Sequence, residues 1–222
     1  MARQVKVITA AEAAALIKNG DTVTTSGFVA SAIPEALDRA VEERFLATGE
    51  PRDITYVYCG SQGNKDGRGA EHFAHEGLLK RYIAGHWATV PALQKMALEN
   101  KMEAYNVSQG ALCHLFRDIA AHRPGCFTKV GLGTFIDPRN GGGKVNDVPK
   151  EDIIELVNIK GQDYLFYPAF PINVALIRGT YADESGNISF EKEVSPLEGT
   201  SVCQAVKNSG GIVVVQVEKL VK

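Results

Sequence analysis

The unit that decides the fold is the stretch TVTTSGFVASAIP, residues 22–34. It begins with residues 22–26, which are rich in the β-branched side chains that favour strands. A turn of small residues follows over 27–32, and Pro34 then suits the first position of a helix. That helix is expected to end near Gly49. The stretch therefore predicts a strand, a loop and a helix in that order.

The same unit recurs twice along the chain. Its second copy has strand, loop and helix at residues 54–59, 60–64 and 70–81, and its third copy at residues 103–107, 108–110 and 111–121. Strands that alternate with helices form parallel sheets, and right-handed crossovers bring every exit loop to the same edge. We therefore expect an α/β fold, an open, mostly parallel sheet with helices on both faces. Ligands bind such sheets at the carboxyl ends of the strands.

A further helix is predicted ahead of these units. Thr9 and Glu12 have the spacing of a capping box, the Ala-rich residues 10–18 favour helix, and Gly20 suits the position after its last turn.

After residue 125 the pattern changes and predicts a local antiparallel addition. Residues 153–159 and 164–167 face each other across Lys160 and Gly161, which is typical of a hairpin. The remaining segments predict a strand, a turn, a short helix and a strand at residues 173–177, 183–187, 201–208 and 212–217. We interpret the last strand as a buried central one. A central strand so near the last residue indicates that the polypeptide continues or has a partner.

Composition excludes several classes of protein. The 222 residues carry 24 Lys and Arg against 26 Asp and Glu, a net charge of −2. A near-neutral chain offers no basic surface to nucleic acid. No apolar run approaches the roughly 20 residues of a membrane helix, and the first residues lack the apolar core of a signal peptide. We expect a cytoplasmic protein whose four cysteines, without a CxxC pair, are reduced and packed.

Three exit loops at one edge combine small and amide residues, which suits an anionic oxygen. They lack the phosphate-loop and dinucleotide patterns, and no Ser/His/Asp triad follows from spacing. His72 and His75 stand three residues apart but match no metalloprotease motif, so we expect packing or exposed histidines and no metal. The residues thus predict a ligand-binding α/β domain with no evident nucleophile.

Four motifs resemble those of the family I coenzyme A transferases. Residues 19–34 resemble its GGFxxxGxP signature, with Ser26 and Ala32 in place of two glycines. The other three are YNVSQG at 105–110, similar to the PQG loop with Ser108 for Pro, GLGTFIDPR at 131–139 followed by GGK at 142–144, and RGTYAD with GN across 178–187. The similarity is strongest to the N-terminal half of the short-chain (propionate and acetate) transferases.

The resemblance implies a single α-type domain over residues 1–222, half of a complete enzyme. That enzyme would move coenzyme A between short-chain acyl-CoA and acids such as propionate, acetate or lactate, through a covalent glutamyl-CoA thioester. The glutamate would lie in the missing β-type half, so the chain alone is expected to be inactive. Coenzyme A would be a substrate, with no cofactor. Glu184, in a Glu-Ser-Gly sequence like that of the nucleophile, falls in a turn and is assigned no role.

This half would supply the opposing wall of the site. Gln109, through its side-chain amide, and the backbone of Gly27 and Phe28 are expected to stabilise oxyanion charge. Ser26, Val29 and Gly110 complete the candidate site. Residues 27–30 would form a narrow, apolar pocket for an acid of about two to four carbons. The partners expected are the β-type half, acyl-CoA, short carboxylic acids and further copies of the complete enzyme.

Three alternatives stay open. A transferase that admits water would hydrolyse acyl-CoA. A sugar-phosphate isomerase or deaminase would need cationic ligands, for which Lys65, Arg68 and Arg81 are candidates. The chain could also be a structural half without turnover of its own.

Overall fold

The main sheet joins strands from almost the whole chain. The computed structural model describes residues 5–222. Twelve strands occur in that range: β1 Thr22–Thr25, β2 Ile54–Tyr58, β3 Leu79–Ala84, β4 Glu103–Asn106, β5 Gly125–Thr128, β6 Glu155–Ile159, β7 Gln162–Pro168, β8 Val174–Arg178, β9 Tyr181–Ala182, β10 Ile188–Ser189, β11 Ile212–Gln216 and β12 Lys219–Leu220. Six of them form an all-parallel sheet in the order β11-β8-β1-β2-β3-β4. Helices flank this sheet, as the alternating pattern predicts.

The α-helices of the described range are α1 Ala10–Ala14, α2 Glu35–Thr48, α3 Pro91–Leu98, α4 Gln109–Ala120 and α5 Gly199–Asn208. The capping box before α1 is confirmed, because Thr9 and Glu12 bond each other's backbone N–H. The helix itself ends at Ala14, short of the predicted residue 18. Helix α1 packs against α2, and α4 packs against α5. No helix of residues 5–222 is both long and apolar enough to span a bilayer.

The helix predicted over residues 70–81 is wrong. The chain forms a short 3₁₀-helix at Gly69–Phe73 and then enters β3, which pairs with β2 and β4. Gly77, with a φ of +89°, lies in the turn between this helix and β3. Tyr82, Ile83 and Ala84 are all buried, because helices cover both faces of a parallel sheet. The alternation that would mark a strand is therefore absent from this part of the sequence.

The last long strand, β11, is an edge strand, so its interpretation as central is wrong. It pairs with β8 alone in the described sheet. Val214 is buried whereas Ile212 is 44% exposed. An apolar run reports that the faces of a strand are covered, and it carries no information about how many neighbours the strand has.

The predicted hairpin is confirmed. Strands β6 and β7 pair in antiparallel register, from Glu155 opposite Phe166 to Ile159 opposite Gln162, and β5 pairs with the other edge of β7. Lys160 and Gly161 both have positive φ, as the mirror-image two-residue turn requires. The chain between β5 and β6 is anchored by Asp137, whose carboxylate accepts from the N–H groups of Gly133 and Arg139 and from the Arg139 guanidinium.

Helix α2 buries a carboxyl group against the sheet. Asp38 is fully buried, and neither of its oxygens has a hydrogen-bond partner within residues 5–222. Burial, with a smaller effect of Glu35, raises the pKa of Asp38 well above its usual value. A neutral carboxyl group here avoids the cost of an unpaired buried charge.

Candidate functional site

Three exit loops meet at a small cavity beside the carboxyl ends of the main sheet. Its volume is about 260 Å³, and its lining residues are Gly27, Phe28, Tyr58, Gly60, Gln109, Leu197 and Glu198. The first two follow β1, Tyr58 and Gly60 lie at the end of β2, and Gln109 begins α4 after β4. The convergence of these loops at one edge agrees with the sequence prediction. A larger depression of about 480 Å³ lies beside α4 and β5, and none of these three loops reaches it.

The loop after β1 is held in a tight conformation. Gly27 has a φ of +118°, and a Cβ there would lie 2.9 Å from the Ser31 carbonyl oxygen. Val29 and Ala32 both have a φ of +54°. A β-branched residue in this region is a conformational outlier, and such strain persists only where the surroundings impose it. Ala32 stands where the family signature has a glycine, which this φ explains.

Ser26 stabilises the loop after β1 through two hydrogen bonds. Its hydroxyl donates to the Ala32 carbonyl oxygen at 3.0 Å and accepts from the Arg178 N–H at 2.8 Å. The side chain is buried and does not line the cavity. Ser26 therefore ties the loop after β1 to β8, and its hydroxyl is committed to that contact.

Two glycines let the functional side chains approach. A Cβ on Gly60 would lie 2.8 Å from Phe28 Cδ2 and 3.9 Å from Gln109 Nε2. A Cβ on Gly85 would lie 2.6 Å from Gln109 Cα. The Phe28 ring thus rests on the Gly60 backbone with 41% of its surface exposed. Gln109 is exposed at the first position of α4, whose N-cap, Ser108, accepts from Ala111 N–H.

Two backbone amides of the loop after β1 already donate hydrogen bonds within the protein. The Phe28 N–H donates to the Ser31 carbonyl oxygen at 3.0 Å, and the Val29 N–H donates to the Ser61 carbonyl oxygen at 2.8 Å. In this conformation the Phe28 N–H is therefore committed within the loop, and the expected donation from Gly27 and Phe28 to an oxyanion stays a prediction. Gln109 keeps a side-chain amide at the cavity. Val29, Ala30 and Gly110 are not among the lining residues of this cavity, whereas Gly27 and Phe28 are.

Glu198 is a lining residue that sequence reasoning missed. It precedes α5 and is partly buried, and its carboxylate accepts from the Tyr58 hydroxyl at 3.3 Å and from the Cys113 thiol at 3.1 Å. Burial raises the pKa of Tyr58 far above its usual value, so this hydroxyl stays a donor. Leu197 has a φ of +46°, which marks the turn that presents Glu198. No motif signals this residue, because its partners lie 140 and 85 positions away.

Candidate metal ligands fall in two places. His72 and His75 contact carboxylates: His72 lies 3.0 Å from Glu35, and His75 lies 2.6 Å from Glu42. Burial raises the pKa of Glu42, but hydrogen bonds from the two histidines outweigh it and lower the pKa overall. Potential ligand atoms of Cys59, Cys113 and Glu198 lie within 4.8 Å of one another. Burial raises the pKa of the Cys59 thiol, which disfavours the thiolate that a metal requires.

The cations that a sugar phosphate would need are elsewhere. Arg81 pairs with Glu103 and, at 2.8 Å, with Glu151. Lys65 and Arg68 are exposed, and none of the three lines the cavity.

Comparison with known proteins identifies the family and agrees with the fold. The family model for coenzyme A transferase matches residues 7–222. A caffeate CoA-transferase of Acetobacterium woodii is 46% identical over 96% of this chain and 41% of its own length. The crystal structure of an acyl-CoA transferase (YdiF) of Escherichia coli O157:H7 superposes with a TM-score of 0.95 and 39% identity, over 99% of this chain and 43% of that one.

This chain covers a larger share of a relative that is a separate subunit. The alpha subunit of an acetoacetyl-CoA:acetate/butyrate CoA transferase of Clostridium acetobutylicum is 26% identical over 97% of this chain and 87% of its own length. The chain thus spans less than half of the longer relatives and most of an alpha subunit. It belongs to the coenzyme A transferase family and corresponds to the α-type half.

Proposed function

We propose that this chain forms one wall of the active site of an enzyme that transfers coenzyme A between acyl-CoA and short-chain carboxylic acids. The observation that carries the proposal is the cavity in which Gly27, Phe28 and Gln109 meet at the carboxyl edge of the sheet, in a chain of this family. Coenzyme A would enter and leave as a substrate. A β-type half, expected from the lengths of the relatives, would cover this wall.

The proposed reaction proceeds in two balanced steps. A glutamate of the β-type half attacks the thioester carbonyl, which forms a mixed anhydride and releases the coenzyme A thiolate. The thiolate then attacks the glutamyl carbonyl, which gives a glutamyl-CoA thioester and frees the first acid. The acceptor acid reverses both steps. Each attack develops charge on a carbonyl oxygen, and the Gln109 amide is the donor that this chain can offer to it.

Two residues that could be taken for the nucleophile are placed differently. Glu184 is exposed and lies outside the cavity. It belongs to a turn held by Asp183, whose carboxylate accepts hydrogen bonds from the Ser185 and Asn187 N–H groups. Glu198 lines the cavity and is held there by hydrogen bonds from Tyr58 and Cys113. This chain covers only 41% and 43% of two longer relatives, which supports a nucleophile supplied by the other half, and hence a chain that is inactive when alone.

The size of the cavity supports a small acyl group. Its volume of about 260 Å³ falls below the about 300–1,000 Å³ of pockets for drug-sized ligands. The Clostridium relative is named for acetate and butyrate. We place the enzyme in the cytoplasm, where the four free thiols would stay reduced, and we expect copies of the complete enzyme to associate.

The test is the variant Gln109→Ala in the enzyme assembled with its β-type half. Loss of an oxyanion donor is typically worth about 3–4 kcal/mol, so kcat for acyl exchange should fall by about a hundredfold or more. Gln204→Ala, which removes an exposed amide on α5, is the matched control and should leave kcat unchanged. Turnover of Gln109→Ala within about twofold of the parent would remove this role. Product formation without an acceptor acid would identify a hydrolase instead.

A further inference from the structure

The cavity contains a carboxylate that the proposed reaction does not use. Glu198 lines it together with six residues, none of which is a lysine or arginine: Gly27, Phe28, Tyr58, Gly60, Gln109 and Leu197. A carboxylate beside the binding place of another carboxylate is unfavourable, since like charges at short range repel. Hydrogen bonds from Tyr58 and Cys113 offset part of this cost, and a hydrogen-bond donor on the substrate would offset more of it.

The protein leaves part of the Glu198 carboxylate unsatisfied. An ionised carboxylate has about four acceptor positions. The chain fills two of them, with the Tyr58 hydroxyl on Oε2 and the Cys113 thiol on Oε1. Tyr58, in β2, also lines the cavity, whereas Cys113, in α4, is not among its lining residues. These two donors hold the carboxylate at the cavity, and no other residue of 5–222 donates to its oxygens.

The other side chains that line the cavity are apolar or carry a hydrogen-bond donor. Phe28 and Leu197 offer apolar contacts, and Gln109 carries the amide assigned to the reacting carbonyl oxygen. Leu197, with its φ of +46°, holds the strained turn that presents Glu198. The cavity thus has a donor for the acyl oxygen, apolar surface for the carbon chain and one acceptor group for a substituent on that chain.

Resting on the proposed function, we infer that Glu198 is a subsite for a hydrogen-bond donor on the acyl chain, a hydroxyl or an ammonium group. The enzyme would then prefer hydroxy- or amino-substituted short acids to unsubstituted acids of the same length. The physical basis is that an unsubstituted chain would displace water from the remaining acceptor positions of Glu198 without replacing its hydrogen bonds, whereas a donor group on the chain would replace one of them.

The experiment compares acceptor acids of one chain length in the assembled enzyme. The rates of acyl-CoA formation from acetyl-CoA are measured with propanoate, 2-hydroxypropanoate, 3-hydroxypropanoate and 3-aminopropanoate. We expect the parent to favour at least one substituted acid in kcat/KM, and Glu198→Leu to lower that preference by about tenfold or more. This is less than the about 10⁴-fold for fully buried sites, because Glu198 is only partly buried.

A second variant separates the two donor chemistries. Glu198→Gln keeps an acceptor oxygen and removes the charge, so a preference for a hydroxyl should survive while a preference for an ammonium group should be lost. Glu191→Leu and Glu191→Gln, at an exposed glutamate of the same segment, are the matched controls and should change neither. Thermal unfolding of each variant verifies that the fold is retained.

The outcomes separate the inference from the proposed function. Transfer to all acids with a preference unaffected by Glu198→Leu overturns the subsite and leaves the transferase intact. Absence of transfer from every acid overturns both. Loss of the preference on chelation, with recovery on adding Zn²⁺, would show that Glu198 acts through an ion shared with Cys59 and Cys113, and this also overturns direct recognition.

Discussion

Gly60→Ala tests whether the Phe28 ring must lie where the structure places it. Gly60 does not have a positive φ, so its backbone accepts an alanine. The added Cβ would lie 2.8 Å from Phe28 Cδ2, about 0.6 Å inside the 3.4 Å at which ordinary contact begins. The ring must therefore move by several tenths of an ångström. Because Phe28 is 41% exposed, it can move without disturbing the core.

Two quantities should change by different amounts. Overpacking lowers the free energy of unfolding by about 1–3 kcal/mol, and we expect a loss near 1 kcal/mol here because the ring is free to move. Such a loss lowers Tm by about 2–4 °C in a protein of this size. Displacement of about 1 Å near the reacting groups lowers rates by up to about a hundredfold. We expect kcat/KM for acyl exchange to fall by about tenfold or more, a far larger effect than the loss of stability explains.

The assay uses the enzyme assembled with its β-type half, with thermal unfolding measured in parallel. Gly199→Ala is the matched control, because its Cβ would meet Phe190 at an ordinary 3.6 Å. Phe28→Leu in the Gly60→Ala background removes the clashing ring edge, so the two changes should be non-additive. Unchanged kcat/KM in Gly60→Ala, or strict additivity in the double variant, would refute the argument that Gly60 positions Phe28.

Two predictions concern pH and stability. Burial raises the pKa of Asp38 in the folded state, so the contribution of this group to stability decreases as pH rises above about 4, by up to about 1.4 kcal/mol per pH unit. The difference in unfolding free energy between Asp38→Asn and the parent should therefore shift in favour of the variant from pH 4 to pH 7. The difference between Asp66→Asn, at an exposed site, and the parent should stay the same. A difference for Asp38→Asn that does not change with pH would contradict a raised pKa of Asp38. Hydrogen bonds from Arg139 and the Gly133 N–H lower the pKa of Asp137 well below its usual value, so its contribution is present above about pH 4 and lost as pH falls below it. Asp137→Asn should lower the free energy of unfolding at pH 7, and its difference from the parent should become smaller in acid. Urea unfolding of both proteins at several pH values will measure this difference.

Much of the fold follows from local chemistry. The strand and loop of residues 22–34, the hairpin turn at Lys160 and Gly161, and the capping box of Thr9 and Glu12 are all found where their side chains predict them. Each of these signals acts over a few residues, through φ preference or a near-neighbour hydrogen bond. Gln109 and Phe28 could also be predicted at one edge, because parallel strands deliver their exit loops to the same side.

The remaining features depend on contacts between distant segments. Residues 79–84 become a strand because β2 and β4 offer edges on either side, and β11 becomes an edge strand because nothing else in the described chain pairs with it. Neither feature can be predicted from the hydrophobic pattern, because that pattern indicates only which faces of a strand are buried. By itself, then, the sequence determined the repeated strand–loop units, their turns and the family. Only the tertiary structure decided the strand order and brought Glu198 to Tyr58 and Cys113, since a contact across 140 residues leaves no local trace.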